Sequence, residues 1–546
     1  MKTLLRIAIL AGLSALLLAG CQEKEIPGLY NKTYALTVDR DAIRDVAANA
    51  PSDEVLVITT DAPYWIATSS ADWITLDLTY GEGNGKSSLL TLSIASNYKN
   101  ESTSTQPRSG EVKISGGRNS VLIAVNQLGH EAVIDPSASI GGIPDMDEFQ
   151  DFLSAAIDGY NLSRWTNQSG EIELLTDIDL STFSDWTPIG NPEKSGNANN
   201  ASEPTGNFFS GIFNGGGHTI SGFKADATLA ANQTWGLFGY ILNGAVKNLN
   251  LTDVDITLTA SGAADAGILA GTIKNSIIEN VNVSGKLDIK GTTVDNVRFA
   301  VGGIAGFAAS QVNVDEKETI IKNCTVNLTV TADGGKNTKN GATGCHYGGI
   351  VGFSTNVGKD ASVQRIEGCT NNGTITARLG RSSGIVGAAN YGTAIKECTN
   401  NANHTSSMNN GRIANIACIL GGNSSITDCV NNGSLTTTVN NCQSGGFVAL
   451  LNDDTCFIKG GGNYGDIVSA FVTDSSGRDF RGLLVANFSK FSEVSGVVVS
   501  GRLGVYNGEW IDVNAENFID SKYIGYWNGD SAKAKIKDLT YMVPTQ

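Results

Sequence analysis

The chain has 546 residues, enough for two or three domains, and its 65 glycines indicate a turn-rich β protein. Its 38 basic and 54 acidic residues give a net charge of −16. A surface this acidic is repelled by phosphate backbones, so we expect no nucleic acid partner.

The first segment, 1–20, has the layout of a targeting sequence. Lys2 and Arg6 form a basic start, and the apolar stretch 4–18 is too short to span a membrane. It ends in LAGC at 18–21, which resembles the lipobox of bacterial lipoproteins. The resemblance implies cleavage before Cys21 and lipid attachment to Cys21. An ordinary signal peptide is the alternative.

A short tether, 21–31, follows. Its QEKE stretch at 22–25 resembles the surface-export signal of Bacteroidota lipoproteins. The resemblance implies an outer-membrane protein that is anchored by its N-terminal lipid and faces the cell exterior.

The segment 32–129 contains short alternating strands separated by turn residues, a pattern typical of a β-sandwich. Trp65, Trp73, the stretch from Asn97 to Arg108 and the ending VNQLG at 125–129 resemble the BACON domain of Bacteroidota surface proteins. The resemblance implies an immunoglobulin-like sandwich that acts either as a spacer or as a glycan-binding module. We interpret both tryptophans as core residues.

The linker 130–160 contains one helical pattern. Apolar residues at 149, 152, 153, 156 and 157 recur with helical spacing. Stacked strands leave an unpaired edge at the end of the stack, which natural proteins cover. We therefore predict an amphipathic helix that caps the first repeat.

From 161 to 546 the chain is repetitive. The phrase IEGCTNNG at 366–373 returns as IKECTNN at 395–401 and as ITDCVNNG at 426–433, about every 30 residues. A glycine-flanked apolar phrase, such as GILAG at 267–271, precedes each copy and is predicted to be a short strand. A fixed phrase at this period predicts stacked structural units.

Three short strands per unit, divided by Asn and Gly, favour a right-handed parallel β-helix. A β-propeller is the alternative, but its blades need about 40 to 50 residues each. The stretches LLTDIDL at 174–180, WTPIG at 186–190 and FSGIFNGGGHTI at 209–220 resemble GLUG-type β-helix repeats of bacterial surface proteins. The resemblance covers roughly 143–463, implies a β-helix and leaves function open. We predict that the β-helix with its C-terminal cap extends over 161–546.

Eight cysteines follow Cys21, and none has the spacing of a zinc site, so we expect no metal. Four of them share one repeat position: Cys324, Cys369, Cys398 and Cys429. We expect these four to form an inward structural column in which cysteine acts as a small hydrophobe. Neighbouring repeats about 4.8 Å apart also allow a disulfide, and this alternative stays open.

Exposed aromatic rings can stack on sugars, and five aromatic residues fall within 22 positions near the C-terminus. These candidate glycan-stacking residues are Tyr506, Trp510, Tyr523, Tyr526 and Trp527. A hydrophobic plug over the last repeat is the alternative role for them.

A glycosidase needs two carboxylates at a fixed separation on one face. The repeats contain the adjacent acid pair Asp453 and Asp454, which does not by itself define such a site. We therefore assign no catalytic residue and no cofactor.

Together these patterns predict a lipid-anchored, monomeric, cell-surface protein that binds an extended glycan or host surface polymer without cleaving it. A protein-binding adhesin or scaffold is the alternative. A divergent polysaccharide lyase or glycoside hydrolase is the third reading.

Overall fold

The computed structural model describes residues 32–48, 51–98, 105–130, 139–183, 185–194, 204–294, 297–311, 318–335, 344–357, 364–440, 442–470, 480–488, 492–520, 523–527 and 535–544. The predicted signal segment 1–20, Cys21 and the tether 21–31 lie outside these ranges. The protein is mostly β, with 54% strand and 4% helix, so the expectation of an all-β protein is confirmed. The chain divides into two compact units, Met1–Ile134 and Asp135–Gln546.

The first unit is sandwich-like and contains two sheets. One sheet has four strands in the spatial order Leu36–Val38, Ser52–Thr60, Ser87–Ile94 and Ile74–Leu76. The other has five strands in the order Ala42–Val46, Asn119–Gln127, Arg108–Gly116, Tyr64–Ser69 and Tyr80–Glu82. All neighbours are antiparallel except Ala42–Val46, which runs parallel to Asn119–Gln127.

The core of this unit is formed by the inward-facing residues of the alternating strands. Trp65 is fully buried, and Gly81 provides the space for its ring, since a Cβ at Gly81 would lie 2.4 Å from the ring carbon Cζ2. Trp73 is half-buried against the same core, and the Arg108 guanidinium lies 4.4 Å from its ring centroid. The structure thus places both tryptophans in packing roles.

The second unit begins with the helix Met146–Asp158 and a 3₁₀ turn, Ser163–Trp165. The helix starts at Asp145, whose carboxylate accepts a 2.9 Å hydrogen bond from the Glu148 backbone N–H. It ends at Gly159, whose φ of 74° lies in the left-handed region that favours glycine.

The buried face of the helix packs on the first strands of the repeats. The Phe152 ring lies 5.8 Å from that of Phe213 and 5.7 Å from that of Trp165, centroid to centroid. Phe213 is fully buried at the start of the long core, so the helix covers part of the first repeat.

The remaining strands form three parallel systems. Sheet A contains Glu171–Glu173, Ile178–Asp179, Ile212–Asn214, Thr219–Ser221, Lys224–Leu229, Ala245–Ala260, Ile277–Thr292, Ile320–Lys322, Thr325–Asp333, Gln364–Glu367, Thr370–Asn371, Thr374–Arg378, Thr393–Lys396, Thr399–Asn400, Asn403–Ser406, Ser425–Thr427, Val430–Asn431, Leu435–Thr437, Phe457–Lys459, Gly462–Asn463, Ile467–Ser469, Glu493–Ser495, Val498–Val499, Leu503–Val505, Ile536–Lys537 and Thr540–Tyr541. Sheet B contains Thr234–Trp235, Ala264–Gly267, Phe299–Gly302, Cys345–Gly348, Arg381–Ser383, Arg412–Ala414, Gln443–Gly445 and Arg481–Gly482. Sheet C has two four-stranded parts, Phe238–Leu242, Ala270–Lys274, Ala305–Gln311 and Val351–Val357, then Ala417–Leu420, Val448–Leu451, Val485–Phe488 and Tyr526–Trp527, which single bridges through Val386 and Ala389 join. A separate antiparallel pair joins Pro192–Lys194 to Thr205–Gly206.

Each repeat pairs in register with the next one. Ile366 aligns with Ile395, and Ile395 aligns with Ile426. The asparagines of the phrase align in the same way: Asn371, Asn400, Asn431 and Asn463. The recurring phrase therefore marks equivalent positions on parallel neighbouring strands.

The glycine-flanked phrase is predicted to be a single short strand, but the structure divides it between two strands. In GILAG, the strand Ala264–Gly267 ends at the first glycine, and the strand Ala270–Lys274 begins after a bend. Ile268 and Leu269 form the bend, and both are fully buried. A Cβ at Gly267 would lie 2.4 Å from the Ala270 carbonyl oxygen, so the phrase encodes a tight corner between sheets B and C.

Candidate functional site

One cleft of about 280 Å³ opens at the start of the repeats. Three chain segments line it: 185–188 together with Asn191, 225–229, and 233–235. We call it the Trp186 cleft. Its volume is close to the lower end for small-ligand pockets, about 300 Å³, and suits one or two sugar rings.

The repeat register brings these segments together. Ile189 pairs in parallel with Phe238, so Trp186 and Trp235, three residues earlier in each case, hold equivalent positions in successive repeats. Segment 225–229 belongs to the strand Lys224–Leu229, and a short loop connects this strand to Gln233. The cleft is therefore formed by the first strands of the stack.

Trp186 is the aromatic wall of the cleft. Its indole N–H donates a 3.0 Å hydrogen bond to the Gly236 carbonyl oxygen, which fixes the orientation of the ring. The ring of Phe223 meets it edge to face at 5.1 Å, and Phe223 in turn stacks on Trp235 at 5.6 Å. Trp186 is half-buried, so a preoriented indole borders the open space.

Polar side chains surround this ring. Asp185, Asn191, Asp226 and Gln233 are all exposed at the cleft. The side-chain oxygen of Gln233 accepts a 2.7 Å hydrogen bond from the Ala230 N–H, which positions its amide group. Asp226 lies 3.9 Å from Lys290, an exposed contact that contributes little to stability. An aromatic face among carboxylate and amide groups is suited to binding a polar ring.

A second polar and aromatic cluster lies on sheets B and C and is closed by packing. Arg298 donates to both carboxylate oxygens of Asp265, at 2.9 and 3.0 Å, and lies 4.7 Å over the Phe307 ring. His346 stacks on Phe353 at 5.8 Å. Burial, reinforced by the charges of neighbouring arginines, holds the pKa of His346 well below its usual range. We assign a structural role to this cluster.

The predicted cysteine column is buried. Cys324, Cys369, Cys398 and Cys429 are each 0% exposed, and all are free thiols. The Cys398 thiol donates a 3.3 Å hydrogen bond to the Ile366 carbonyl of the preceding repeat, and burial raises its pKa well above the usual range. The column fills the interior and offers no accessible nucleophile.

The structure separates the predicted C-terminal aromatics. Trp510 is 49% exposed, and the Arg502 guanidinium lies 4.0 Å from its ring centroid, so a cation already covers one face. Tyr523 packs against the long core, and Tyr506 is half-buried. The strand Tyr526–Trp527 pairs with Asn487 and Phe488. Glycan stacking by these residues stays a prediction.

Two kinds of site are not found in the described part of the chain. No three His, Cys, Asp or Glu side chains converge there in a group that could hold a metal ion. Among the same residues, no helix has the length and apolarity needed to cross a bilayer.

Sequence reasoning did not identify the Trp186 cleft. WTPIG at 186–190 is interpreted in the sequence as a fold signature, and Trp186 is not among the predicted ligand contacts. The signal that could have found it is the alignment of Trp186 with Trp235, two tryptophans at one repeat position. Their 49-residue separation hides that alignment, because it exceeds the usual period.

Comparisons with known proteins give limited similarity. No protein-family model matches the chain. An alignment over 130 residues, 33% identical, covers 22% of this chain and 1% of Halomucin of Haloquadratum walsbyi (strain DSM 16790 / HBSQ001).

Two solved structures from Bacteroides ovatus are similar over part of the fold. A protein described as a "putative immunoglobulin A1 protease" is 19% identical, with 60% of this chain and 76% of that chain covered and a TM-score of 0.33. A GH5 xyloglucanase in complex with a XXXG heptasaccharide is 13% identical, with 39% and 46% covered and a TM-score of 0.15. At these TM-scores neither structure informs the function of this protein.

Proposed function

We propose that this protein is a lipid-anchored surface protein of the outer membrane that binds an extended glycan without cleaving it. Its fold would be a BACON-like sandwich followed by a right-handed parallel β-helix of GLUG type, with the helix Met146–Asp158 as its cap. The in-register parallel pairing of successive repeats in sheets A, B and C supports the β-helix.

The Trp186 cleft is the observation that carries the proposal. Sugar rings bind proteins through an aromatic face that covers their C–H groups and through polar groups that contact their hydroxyls. Trp186 provides the face, and Asp185, Asn191, Asp226 and Gln233 provide the polar contacts. The indole orientation is fixed before binding, so little conformational entropy is lost when a ligand arrives.

Lipid anchoring through Cys21 would strengthen a weak site. A cleft of about 280 Å³ contacts few sugar units and is expected to bind each one weakly. Many copies held on one membrane engage a polymer at high effective concentration, which raises the overall avidity without new contacts. A repetitive glycan is therefore a better ligand than a single sugar.

Two carboxylates in one cleft also keep the enzyme reading open. Asp185 and Asp226 belong to different chain segments that line the cleft, and a glycosidase uses a pair of carboxylates about 5 to 10 Å apart. Retention of a glycan without product release supports binding alone. Release of oligosaccharides that is lost in Asp185→Asn and Asp226→Asn would replace the binding proposal with glycoside hydrolysis.

The test uses the chain from Gln22 to Gln546 on immobilised plant polysaccharides, glycosaminoglycans and mucin glycans, with soluble product assayed in the same wells. We expect retention on one glycan class and at least a tenfold loss in Asn191→Ala and Gln233→Ala, whose side chains are exposed and can be removed without a packing defect. Trp186→Ala should abolish retention, with its melting temperature measured alongside.

Trp510→Ala is the matched control, because Trp510 is an exposed tryptophan remote in sequence from the cleft. Loss of retention in Trp510→Ala with full retention in the cleft variants would move the site to the C-terminal aromatics. No retention on any glycan would contradict the proposal and favour a protein-binding adhesin.

A further inference from the structure

The strand Lys224–Leu229 is paired along one edge only. It runs parallel to the strand Ala245–Ala260, with Lys224 opposite Asp255 and Leu229 opposite Ala260. Among the described strands, its residue-by-residue pairing is with Ala245–Ala260 alone. Natural proteins usually cover such an edge, and the helix Met146–Asp158 covers Phe213 instead.

The Trp186 cleft runs along this free edge. Five consecutive residues of the strand, 225–229, line the cleft. Successive side chains of a strand point to opposite faces, so a cavity that contacts all five must lie beside the strand rather than over one face. Because Ala245–Ala260 occupies one side, the cleft lies on the other.

Unused backbone hydrogen-bonding groups point to that side. The carbonyl oxygens of Phe223 and Leu229 accept hydrogen bonds from Asp255 and Ser261 of the neighbouring strand. Backbone groups alternate along a parallel strand, so those of Ala225 and Ala227 point the same way. The N–H and C=O groups of the intervening residues, Lys224, Asp226 and Thr228, therefore point to the free edge. In the described part of the chain these groups make no backbone hydrogen bond to a residue outside the strands, and the strand itself pairs with Ala245–Ala260 alone.

Thr234 adds a second unsatisfied group to the cleft. Its side-chain oxygen is buried with no hydrogen-bond partner in the described part of the chain, although the residue is only 3% exposed. A buried hydroxyl without a partner costs free energy, which a ligand group could recover. The cleft thus has amide groups along one wall, and the hydroxyl of the lining residue Thr234 lies buried without a partner just beneath its surface.

We propose that the Trp186 cleft recognises a 2-acetamido sugar, an N-acetylated hexosamine unit within the glycan. A trans amide presents its C=O and N–H in opposite directions. It can therefore span a cleft, with its carbonyl accepting from the Asp226 or Thr228 N–H and its N–H donating to the Thr234 hydroxyl. Trp186 covers the sugar ring. This inference rests on the proposed glycan binding.

Matched saccharides test the acetamido group. The probes are N-acetylglucosamine and N-acetylgalactosamine oligomers, the same oligomers after de-N-acetylation, and the corresponding glucose and galactose oligomers. Titration calorimetry with the chain 22–546 should give at least tenfold tighter binding of the N-acetylated oligomers than of both other sets. Tighter binding of the cationic de-N-acetylated set would mean that Asp185 and Asp226 select an amine, which overturns the inference.

Proline substitutions test the backbone donors. Asp226→Pro and Thr228→Pro each remove an N–H that faces the free edge and makes no ladder hydrogen bond, so the fold should tolerate them. Thr228→Ala keeps the N–H and is the matched control for Thr228→Pro, whereas Asp226→Ala keeps the N–H but loses a cleft carboxylate and sets the baseline with which Asp226→Pro is compared. We expect one of the two prolines to remove the tenfold preference while its alanine control retains it. Preference retained in both prolines would overturn the edge contact.

Thr234→Val tests the hydroxyl while keeping the side-chain shape. We expect it to reduce binding of the N-acetylated oligomers at least fivefold. Thr272→Val is the control, because Thr272 is also buried with an unpartnered hydroxyl but does not line the cleft. Equal affinity for all three saccharide sets would refute the acetamido inference and leave glycan binding intact. Absence of any saccharide binding would refute both.

Discussion

Asn400 donates a 2.9 Å hydrogen bond from its side-chain nitrogen to the side-chain oxygen of Asn431 in the next repeat, and both residues are fully buried. Asn371 donates to Asn400 at 3.3 Å, and Asn431 donates to Asn463 at 2.6 Å. The four amides form a continuous ladder through the interior. Each one also donates to a backbone carbonyl, so the ladder fixes the corner of every repeat that it crosses.

Asn400→Ala should lower the free energy of unfolding by about 3 kcal/mol. The substitution removes both inter-amide bonds of Asn400 and leaves its neighbours in the ladder with fewer partners, at about 1 to 3 kcal/mol for each unsatisfied group. Urea unfolding followed by circular dichroism measures the change.

The adjacent residue offers a matched control. Asn401 donates to Asn372 at 2.7 Å and accepts from Asn432 at 2.8 Å, but this second ladder is exposed, so water replaces the lost bonds. Asn401→Ala should cost less than about 1 kcal/mol. Equal effects of the two substitutions would show that burial does not set the strength of the ladder.

The recurring phrase predicted the stacking because each of its positions has one environment. The position of Ile395 is buried in each copy of the phrase, and the position of Asn400 bonds its counterparts in the neighbouring repeats. The same residue types therefore recur at these positions. The bend at Ile268 was missed because an apolar pair between glycines is compatible with both a strand and a corner. The free edge of Lys224–Leu229 was missed for a different reason: a residue without a neighbour leaves no local pattern in sequence.

The pH dependence of stability should report a buried histidine. His404 is 1% exposed, and its Nε2 lies 2.8 Å from the Ser382 hydroxyl. Burial lowers the pKa of His404 from 6.5 to about 4. The folded protein therefore disfavours the protonated form. The stability contributed by neutral His404 is fully present above pH 6.5 and is lost as the pH falls from 6.5 toward 4.

His404→Gln should reduce the acid-induced loss of unfolding free energy by about 3 kcal/mol. This figure converts the lowering of the pKa at about 1.4 kcal/mol per pKa unit. The measurement is the free energy of unfolding of both proteins between pH 7 and pH 4, which cancels the shared contribution of the carboxylates. His218→Gln, at a more exposed histidine beside Asp177, is the control for removing a histidine outside the core. A parent profile that runs parallel to that of His404→Gln would show that His404 titrates normally.

Glu148 holds the helix on the start of the repeats. Its carboxylate accepts hydrogen bonds from Arg164 at 2.5 and 3.1 Å and from the Trp165 indole at 2.9 Å. Glu148→Ala should lower the free energy of unfolding by about 1 to 2 kcal/mol, because a charge-assisted bond and an indole partner are lost. Trp165 should become more accessible to a fluorescence quencher. Asp151→Ala, at an exposed position of the same helix, should leave both readouts unchanged.

The interior cysteines should resist modification until the repeats open. All eight described cysteines are buried as free thiols, and burial raises the pKa of Cys418, Cys442 and Cys456 to about 12. Maleimide reacts with the thiolate, which is scarce at neutral pH for such groups. We expect almost no labelling of the chain 22–546 in its native state.

Mass spectrometry after labelling in urea without a reductant distinguishes a column of four thiols from a column that contains a disulfide. Eight adducts mean that Cys324, Cys369, Cys398 and Cys429 persist as thiols, whereas six adducts mean that one disulfide has formed. Cys398→Ala places a gap in the middle of the column and should cost about 1 to 2 kcal/mol by lost packing. If Cys398→Ala leaves the free energy of unfolding unchanged, the column does not support the interior.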